Sequence, residues 1–205
     1  MKRHIITGLL VFLTFCSIQQ QATAETRILF LGDSITAGYG IDKEKAYPAL
    51  VDKALKQKGL RDVHIINAGI SGSTSASAMS RLKWYNRIQP HILVLALGGN
   101  DGLRGISIES METNLDKSIR YALSKGMKVI LAGMQIPPNY GEAYTTAFRN
   151  VYSRLSTRYP ITLMPFLLKD VGGNPELNLP DGIHPTPEGH RLISVNIIPY
   201  ILENL

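Results

Sequence analysis

Three residues have the types and the spacing that hydrolysis by a serine requires. Ser34 comes two residues after Gly32, where a tight turn can expose its hydroxyl. Asp181 precedes His184 by three positions, close enough for the carboxylate to accept the Nδ1 proton of the imidazole and fix its tautomer. Histidine side chains titrate near neutral pH, which suits a general base. We therefore expect Ser34 to be the nucleophile, His184 the base and Asp181 the residue that orients the base.

The same chemistry needs hydrogen-bond donors for the negative charge that develops on the carbonyl oxygen. Gly72 has no side chain in the way of its backbone N–H, so it can present that donor at close range. Asn100 carries a side-chain amide and follows two glycines. The backbone N–H of Ser34 is a third candidate. We predict an oxyanion hole made by Ser34, Gly72 and Asn100.

Each of these signals is weak by itself, because serines and Gly-Gly-Asn-Asp sequences are common in turns. The secondary-structure elements that must position these residues strengthen the prediction that they form one site. Short β-branched apolar runs alternate with amphipathic segments of helical period, which predicts an α/β fold with a mainly parallel sheet covered on both faces. In such sheets ligands bind beyond the carboxyl ends of the strands. The predicted strands are residues 28–31, 63–66, 92–97, 128–132 and 161–164, and the predicted helices are residues 47–58, 76–88, 108–125, 142–158 and 188–202.

Four sequence blocks resemble those of the SGNH (GDSL-type) serine hydrolases. They are Gly32-Asp33-Ser34-Ile35, Gly72 in its Ser-Gly loop, Gly98-Gly99-Asn100-Asp101 and Asp181-Gly182-Ile183-His184. The resemblance spans residues 27–200. It implies a flavodoxin-like three-layer α/β/α sandwich with a five-stranded sheet, and hydrolysis of esters or thioesters through an acyl-serine without metal or cofactor. Residues 98–105 and 134–141 resemble most the bacterial periplasmic group of thioesterases, lysophospholipases and arylesterases.

The resemblance also implies where a substrate would bind. In this family the acyl group lies along an apolar groove near the third- and fourth-block loops, which makes Leu103, Ile106, Ile136 and Tyr140 candidates. Arg104 lies beside Asn100 in sequence and is a candidate for recognising an anionic head group. The expected substrate is a small acyl ester or thioester.

Two other functions stay open at this point. A carbohydrate O-acetylesterase would use the same scaffold with a polar, open cleft, and the apolar Leu103, Ile106 and Pro137-Pro138 argue against it. A lipid-binding protein without turnover would need none of Ser34, Asp181 and His184. A nucleotide-binding protein is disfavoured, because the first loop lacks a glycine-rich phosphate cradle.

The first 24 residues predict a cleaved secretory signal peptide. Basic residues precede an apolar run shorter than a bilayer crossing, and Ala22-Thr23-Ala24 provides a small-residue cleavage site. Bulky Phe15 before Cys16 argues against a lipoprotein, so we expect a periplasmic or secreted protein. Residues 25–205 are then one hydrolase domain.

Composition supports that view and excludes other classes. Lys and Arg exceed Asp and Glu by six in the whole chain of 205 residues, and by four without residues 1–24. This mild excess requires no nucleic-acid partner. Cys16 is the single cysteine, so multi-cysteine zinc sites and disulfides are excluded. We expect a monomer without a transmembrane helix in residues 25–205 that contacts lipid surfaces transiently.

We expect structural roles for the three remaining histidines of residues 25–205, His64, His91 and His190, and for two aspartates, Asp33 and Asp101. His64 lies at the start of a predicted strand and His91 directly precedes one, at the edge opposite the expected site. His190 is expected to pack or cap in the last helix. Asp33 and Asp101 are expected to hold their own turns through side-chain-to-backbone hydrogen bonds.

Overall fold

The computed structural model describes residues 25–205, so the predicted signal segment lies outside the described residues. Within that range five parallel strands form one sheet in the order β2-β1-β3-β4-β5. The strands are β1 (Thr26–Gly32), β2 (Val63–Gly69), β3 (Ile92–Ala96), β4 (Lys128–Ala132) and β5 (Thr162–Met164). The predicted α/β class and the five-stranded parallel sheet are confirmed.

Helices cover both faces of this sheet. α2 packs against α7 in one layer, and α3, α5 and α6 pack side by side in the other. The helices are α1 (Ser34–Ala37), α2 (Tyr47–Gln57), α3 (Ala78–Tyr85), α4 (Gly99–Leu103), α5 (Ile108–Ser124), α6 (Glu142–Arg158) and α7 (Pro187–Leu202). The result is the three-layer α/β/α sandwich that the sequence predicts.

The central strands are apolar on both faces because both faces are covered. In β1 the run 28–31 is fully buried, and all five residues of β3 are buried. Continuous apolar runs of this kind are typical of parallel strands between two helical layers. The edge strand β2 is only partly buried. The nucleophile candidate therefore follows a strand in the middle of the core.

Helix α5 shows why the amphipathic segments fold as they do. Met111, Leu115, Ile119 and Ala122 recur at helical spacing and are all buried. Ser107 caps the helix, since its hydroxyl accepts a hydrogen bond from the backbone N–H of Ser110 at 3.2 Å. The buried stripe fixes the helix against its neighbours in the core.

Strand register aligns the loops that carry the candidate residues. Gly32 at the end of β1 pairs with Gly69 of β2 on one side and with Ala96 of β3 on the other. The carboxyl ends of the three strands are therefore level. The segments that follow them, which contain Ser34, Gly72 and Asn100, emerge next to one another.

Two short helices form where the sequence predicts plain turns. Ser34 begins α1, and Asn100 lies in α4, where glycine-rich sequences indicated loops. Four or five residues are too few for a hydrophobic period to be visible. Elsewhere the boundaries differ from the predicted ones by a few residues at most.

Within residues 25–205 no helix combines the length and hydrophobicity that a membrane crossing needs. The same residues contain no cluster of three or more His, Cys, Asp or Glu side chains arranged to hold a metal ion.

Candidate active site

Ser34 sits at the first position of α1, directly after β1. Asp33 caps the helix, because its Oδ1 accepts a hydrogen bond from the backbone N–H of Ile35 at 3.0 Å. Ser34 is largely buried, with 9% of its surface exposed. The cap and the strand together fix the serine at the carboxyl edge of the sheet.

Ser34, His184 and Asp181 form a continuous hydrogen-bonded row. The Nε2 atom of His184 lies 2.9 Å from Ser34 Oγ, and Nδ1 lies 2.7 Å from Asp181 Oδ2. These distances are within hydrogen-bonding range for both contacts. This is the geometry of a Ser-His-Asp triad, in which the imidazole can take the serine proton while the carboxylate fixes its tautomer.

Asp181 is held as a carboxylate by its hydrogen bonds. Its Oδ1 accepts from the backbone N–H groups of His184 and Ile183, at 3.0 and 2.9 Å. The backbone bond from His184, then the side-chain bond from the same residue and the bond from Ile183, lower the pKa of Asp181 to about 2. The negative charge beside His184 is therefore present across the neutral range.

The loop that carries His184 is braced from both sides. The carbonyl oxygen of His184 accepts a hydrogen bond from Leu179 N at 2.7 Å, and Thr186 N donates to Leu177 O at 2.9 Å. Thr186 caps α7 through a bond from Gly189 N to its hydroxyl at 3.3 Å. The base is thus tied to the start of a long helix.

Gly72 and Asn100 come together beside Ser34. The Asn100 Nδ2 atom donates to Ser73 O at 3.0 Å and lies 3.5 Å from Asp33 Oδ2. Gly72 has φ of 77°, a conformation that L side chains rarely adopt. Within residues 25–205 the backbone N–H groups of Gly72 and Ser34 have no hydrogen-bond acceptor. The two backbone N–H groups are therefore free to bind an oxyanion, and the Asn100 amide could join them by giving up its longer contact, the one to Asp33.

Two further side chains at α4 fasten the loop that contains Gly72. Asp101 accepts hydrogen bonds from Ser75 N at 2.8 Å and from Ser75 Oγ at 2.5 Å. Arg104, just after the helix, donates from Nη2 to Gly72 O at 3.1 Å. Asp101 was expected to hold its own turn, and that expectation is wrong: it binds a different loop. Arg104 is exposed, but its guanidinium is engaged with the glycine loop.

Asp33 is a buried carboxyl next to the nucleophile. It is 5% exposed, and this burial raises its pKa to about 6 against the lowering effects of the Ile35 N–H and of the charges on His184 and Arg81. The expectation that Asp33 holds its own turn is confirmed by the bond to Ile35.

The four predicted groove residues are placed differently from one another. Leu103 and Ile106 are half-buried and Tyr140 is 37% exposed. Tyr140 donates its hydroxyl to Leu103 O at 2.9 Å, so the segment after β4 is attached to the end of α4. Ile136 instead belongs to the core, where it packs so closely against Gly102 that an added Cβ there would lie 2.5 Å from its Cγ2 atom.

The other histidines lie away from the triad. His91 is exposed and accepts a hydrogen bond from Arg27 N through Nδ1 at 3.0 Å, and His64 is exposed near Glu25. His190 is fully buried in α7 and accepts a bond from Tyr47 N at 3.2 Å through Nδ1. Burial lowers the pKa of His190 to about 4. These positions agree with the structural places that the sequence indicates.

Two residues near the site have no counterpart in the sequence predictions. Arg81 of α3 donates to the carbonyl oxygens of Gly32, at 2.9 Å, and Ala68, so one guanidinium ties the ends of β1 and β2 together. Tyr39 packs against the His184 ring at 4.6 Å between centroids. An arginine on a helix and a tyrosine after a turn carry no periodic or motif signal that would have found them.

An α/β/α sandwich with a Ser-His-Asp row and convergent amide donors at the carboxyl edge of its sheet has the architecture of a serine hydrolase. Comparison with known proteins supports this class. Residues 30–192 match the GDSL-like lipase/acylhydrolase family. The chain is 38% identical to esterase TesA of Pseudomonas aeruginosa, with 97% of each chain covered, and 35% identical to an arylesterase of Vibrio mimicus, covering 96% and 98%.

A third relative and a solved structure extend the comparison. The chain is 33% identical to thioesterase 1/protease 1/lysophospholipase L1 of Escherichia coli, over 93% of this chain and 88% of the relative. A crystal structure of TesA superposes with a TM-score of 0.85 at 38% identity, covering 88% of this chain and all of the other. The chain belongs to the GDSL-like lipase/acylhydrolase family, as the four sequence blocks indicate.

Proposed function

We propose that this protein is an exported serine hydrolase that cleaves carboxylic esters and thioesters through an acyl-Ser34 intermediate. The single observation that carries the mechanism is His184, which lies 2.9 Å from the Ser34 hydroxyl and 2.7 Å from the Asp181 carboxylate. The family membership and the relatives that are named as esterases support the substrate class.

Acylation begins when His184 Nε2 takes the proton of Ser34 as Oγ attacks the carbonyl carbon of the substrate. The carbonyl oxygen becomes an oxyanion, which the N–H groups of Ser34 and Gly72 and the amide of Asn100 would bind. When the tetrahedral intermediate collapses, the bond to the leaving oxygen or sulfur breaks. His184 gives its proton to that atom, and the acyl group remains on Ser34.

Deacylation repeats the same proton transfers with water. His184 takes a proton from a water molecule as the water attacks the acyl carbon, and the bond to Ser34 Oγ breaks. The proton returns through His184 to the serine, which releases a carboxylic acid and restores the enzyme. Asp181 stays ionised throughout, since its pKa is about 2, and stabilises the imidazolium in both halves of the cycle.

For the acyl chain we propose the surface formed by Leu103, Ile106 and Tyr140. Leu103 and Ile106 are half-buried, and the hydroxyl of Tyr140 fixes its ring near Leu103. Ile136 supports this surface from the core instead of lining it. Arg104 acts on every substrate through Gly72, to which it donates.

The decisive experiment measures turnover of p-nitrophenyl esters from acetate to palmitate, of acyl-CoAs and of lysophospholipid. Ser34→Ala should lower kcat for all of them by roughly 10⁴-fold or more, because no other group takes the nucleophile's place. Ser80→Ala is the matched control: Ser80 lies on α3 and its hydroxyl bonds to Ser77 O.

Unchanged turnover in Ser34→Ala would refute the acyl-serine mechanism. Preference for acetylated sugars over acyl chains would favour the carbohydrate O-acetylesterase, and tight lipid binding without turnover would favour a lipid carrier. Arg104→Ala should weaken hydrolysis of neutral esters and lysophospholipid alike; a loss confined to lysophospholipid would identify a head-group site instead.

Export rests on the sequence of residues 1–24. The proposal places the mature N-terminus at Glu25, in the periplasm or the medium, and a monomer without a lipid anchor. Mass spectrometry of the exported protein, with Cys16→Ser as control, tests this cleavage. A mature mass that includes Cys16 and attached acyl chains would identify a lipoprotein. Light scattering tests the monomer.

A further inference from the structure

The proposed reaction fixes the side of the site on which the leaving group must lie. His184 Nε2 has to reach the leaving atom in order to protonate it, so that atom lies next to the imidazole. The oxyanion faces Gly72 and Asn100, and the acyl chain extends towards the surface formed by Leu103 and Ile106. Whatever borders His184 on its open side therefore borders the leaving group.

Tyr39 is a side chain that borders the His184 imidazole and also reaches solvent. Its ring lies 4.6 Å from the imidazole, tilted by 42°, and Tyr39 is 53% exposed. An aromatic residue that is packed on the base and half open to solvent can offer its remaining surface to a bound molecule. Ile183, which directly precedes His184, is 44% exposed and adds apolar surface in the same loop.

The backbone holds this tyrosine in place without involving its hydroxyl. Tyr39 N donates to the carbonyl oxygen of Ser34 at 3.0 Å, so the residue is anchored to the nucleophile's own main chain. The neighbouring Gly40 packs against Leu179, where an added Cβ would lie 2.7 Å from the leucine Cδ1 atom. The main chain of Tyr39 is thus fixed relative to Ser34 on one side and to the His184 loop on the other.

We propose that Tyr39 is a specificity-determining residue that contacts the leaving group and favours esters of aromatic alcohols. This proposal rests on the proposed function. Aromatic rings attract one another in offset or edge-to-face arrangements, beyond the apolar area that they bury. A phenyl or naphthyl leaving group beside His184 can stack on Tyr39, whereas an ethyl group has no ring with which to stack.

The test compares phenyl, 1-naphthyl and ethyl butyrate with wild type, Tyr39→Phe and Tyr39→Leu. The readout is the ratio of kcat/KM for each aryl ester to that for the ethyl ester, normalised to wild type, so that the intrinsic reactivity of each ester cancels. Tyr39→Leu should lower this normalised ratio by about 3- to 10-fold, the range expected for one aromatic pair. Tyr39→Phe keeps the ring and should restore the ratio.

Trp84→Leu is the matched control, because Trp84 is equally exposed but contacts Arg87 and Tyr85 instead of the triad. Its ratio should equal that of wild type. An equal loss for all three esters in Tyr39→Leu would overturn the proposal and leave Tyr39 as a support of His184. Ser34→Ala, tested on the same esters, reports separately on the proposed function, since that variant must lose all three activities whatever Tyr39 does.

Discussion

Both carboxylate oxygens of Asp101 accept hydrogen bonds from Ser75, one from its backbone N–H at 2.8 Å and one from its hydroxyl at 2.5 Å. Asp101 follows Asn100 directly, and Ser75 lies three residues after Gly72. The pair therefore sets the distance between the two segments that carry the proposed oxyanion donors. Asn114 of α5 adds a hydrogen bond to the Ser75 hydroxyl at 3.1 Å.

Asp101→Asn should lower kcat by about 10- to 100-fold with little change in KM. An amide oxygen can accept from only one of the two Ser75 donors, so the Ser75 hydroxyl has to reverse its hydrogen bond or lose it, and the glycine loop shifts. Losing a whole oxyanion donor costs about 10²- to 10³-fold in kcat, and a displaced donor costs less. Steady-state kinetics with p-nitrophenyl butyrate measures this, and Ser118→Ala removes an equally buried hydroxyl that bonds only within α5. A change in KM alone would contradict the positioning role.

Asp181→Asn should lower kcat by roughly 10⁴-fold, because the amide imposes the wrong imidazole tautomer. The backbone N–H groups of Ile183 and His184 donate to Oδ1 and should hold the amide oxygen at that position. The NH₂ group then faces His184 Nδ1. The ring must then carry its proton on Nε2, where it cannot accept one from Ser34. Kinetics at pH 7 tests this, with Asp42→Asn, an exposed carboxylate paired to Lys45, as control. Near-normal turnover would show that Asp181 does not set the tautomer.

Asp33→Asn should change how stability depends on pH. The folded pKa of about 6 lies above the ordinary 3.8, so the protonated group stabilises the fold fully below pH 3.8, and that contribution is lost as pH rises through 6. Relative to wild type, the variant should gain about 3 kcal/mol in free energy of unfolding between pH 4 and 7. Urea unfolding at several pH values measures the difference. A difference that does not vary with pH would refute the raised pKa.

His190→Gln should show the opposite pH dependence. The folded pKa of about 4 lies below the ordinary 6.5, so neutral His190 contributes fully above pH 6.5 and loses its contribution as pH falls towards 4. As the pH falls from 7 to 4, the free energy of unfolding of the variant should rise by about 3 kcal/mol relative to wild type. This gain adds to a loss of packing that does not depend on pH. The same unfolding series measures it. In wild type the contributions of Asp33 and His190 to the free energy of unfolding therefore oppose each other over this range.

Local sequence was sufficient for predicting the sheet and the long helices, and for choosing Ser34, Asp181 and His184, which the fold brings within hydrogen-bonding distance. Continuous apolar runs identify buried parallel strands, and residues that directly follow such strands must meet at one edge. Ser34 and Asn100 could be placed there for that reason. Thr186 before Pro187 is an equally local signal for the start of α7.

Contacts between distant segments could not be predicted in the same way. Asp101 could have held its own turn; only the folded chain puts Ser75, 26 positions earlier, within reach of its carboxylate. Ile136 lies after a strand, where a groove residue is expected. It belongs to the core instead, because α4 packs closely against it at Gly102. Tyr39 shows nothing in sequence that points to His184, because their contact joins residues 145 positions apart.

The segment after β4 is joined to the site through two tyrosine hydroxyls, Tyr140 on Leu103 O and Tyr144 on Ile106 O, each at 2.9 Å. Neither bond involves the triad or an oxyanion donor, which come from β1, β2, β3 and the start of α7. This segment, which Ile136 also packs against α4, therefore contributes no group to the proposed acyl transfer. Replacing residues 137–144 with a different segment should alter the preference for acyl chain length. The residues proposed for acyl transfer would stay in place, which makes this segment suited to diversification and to engineering.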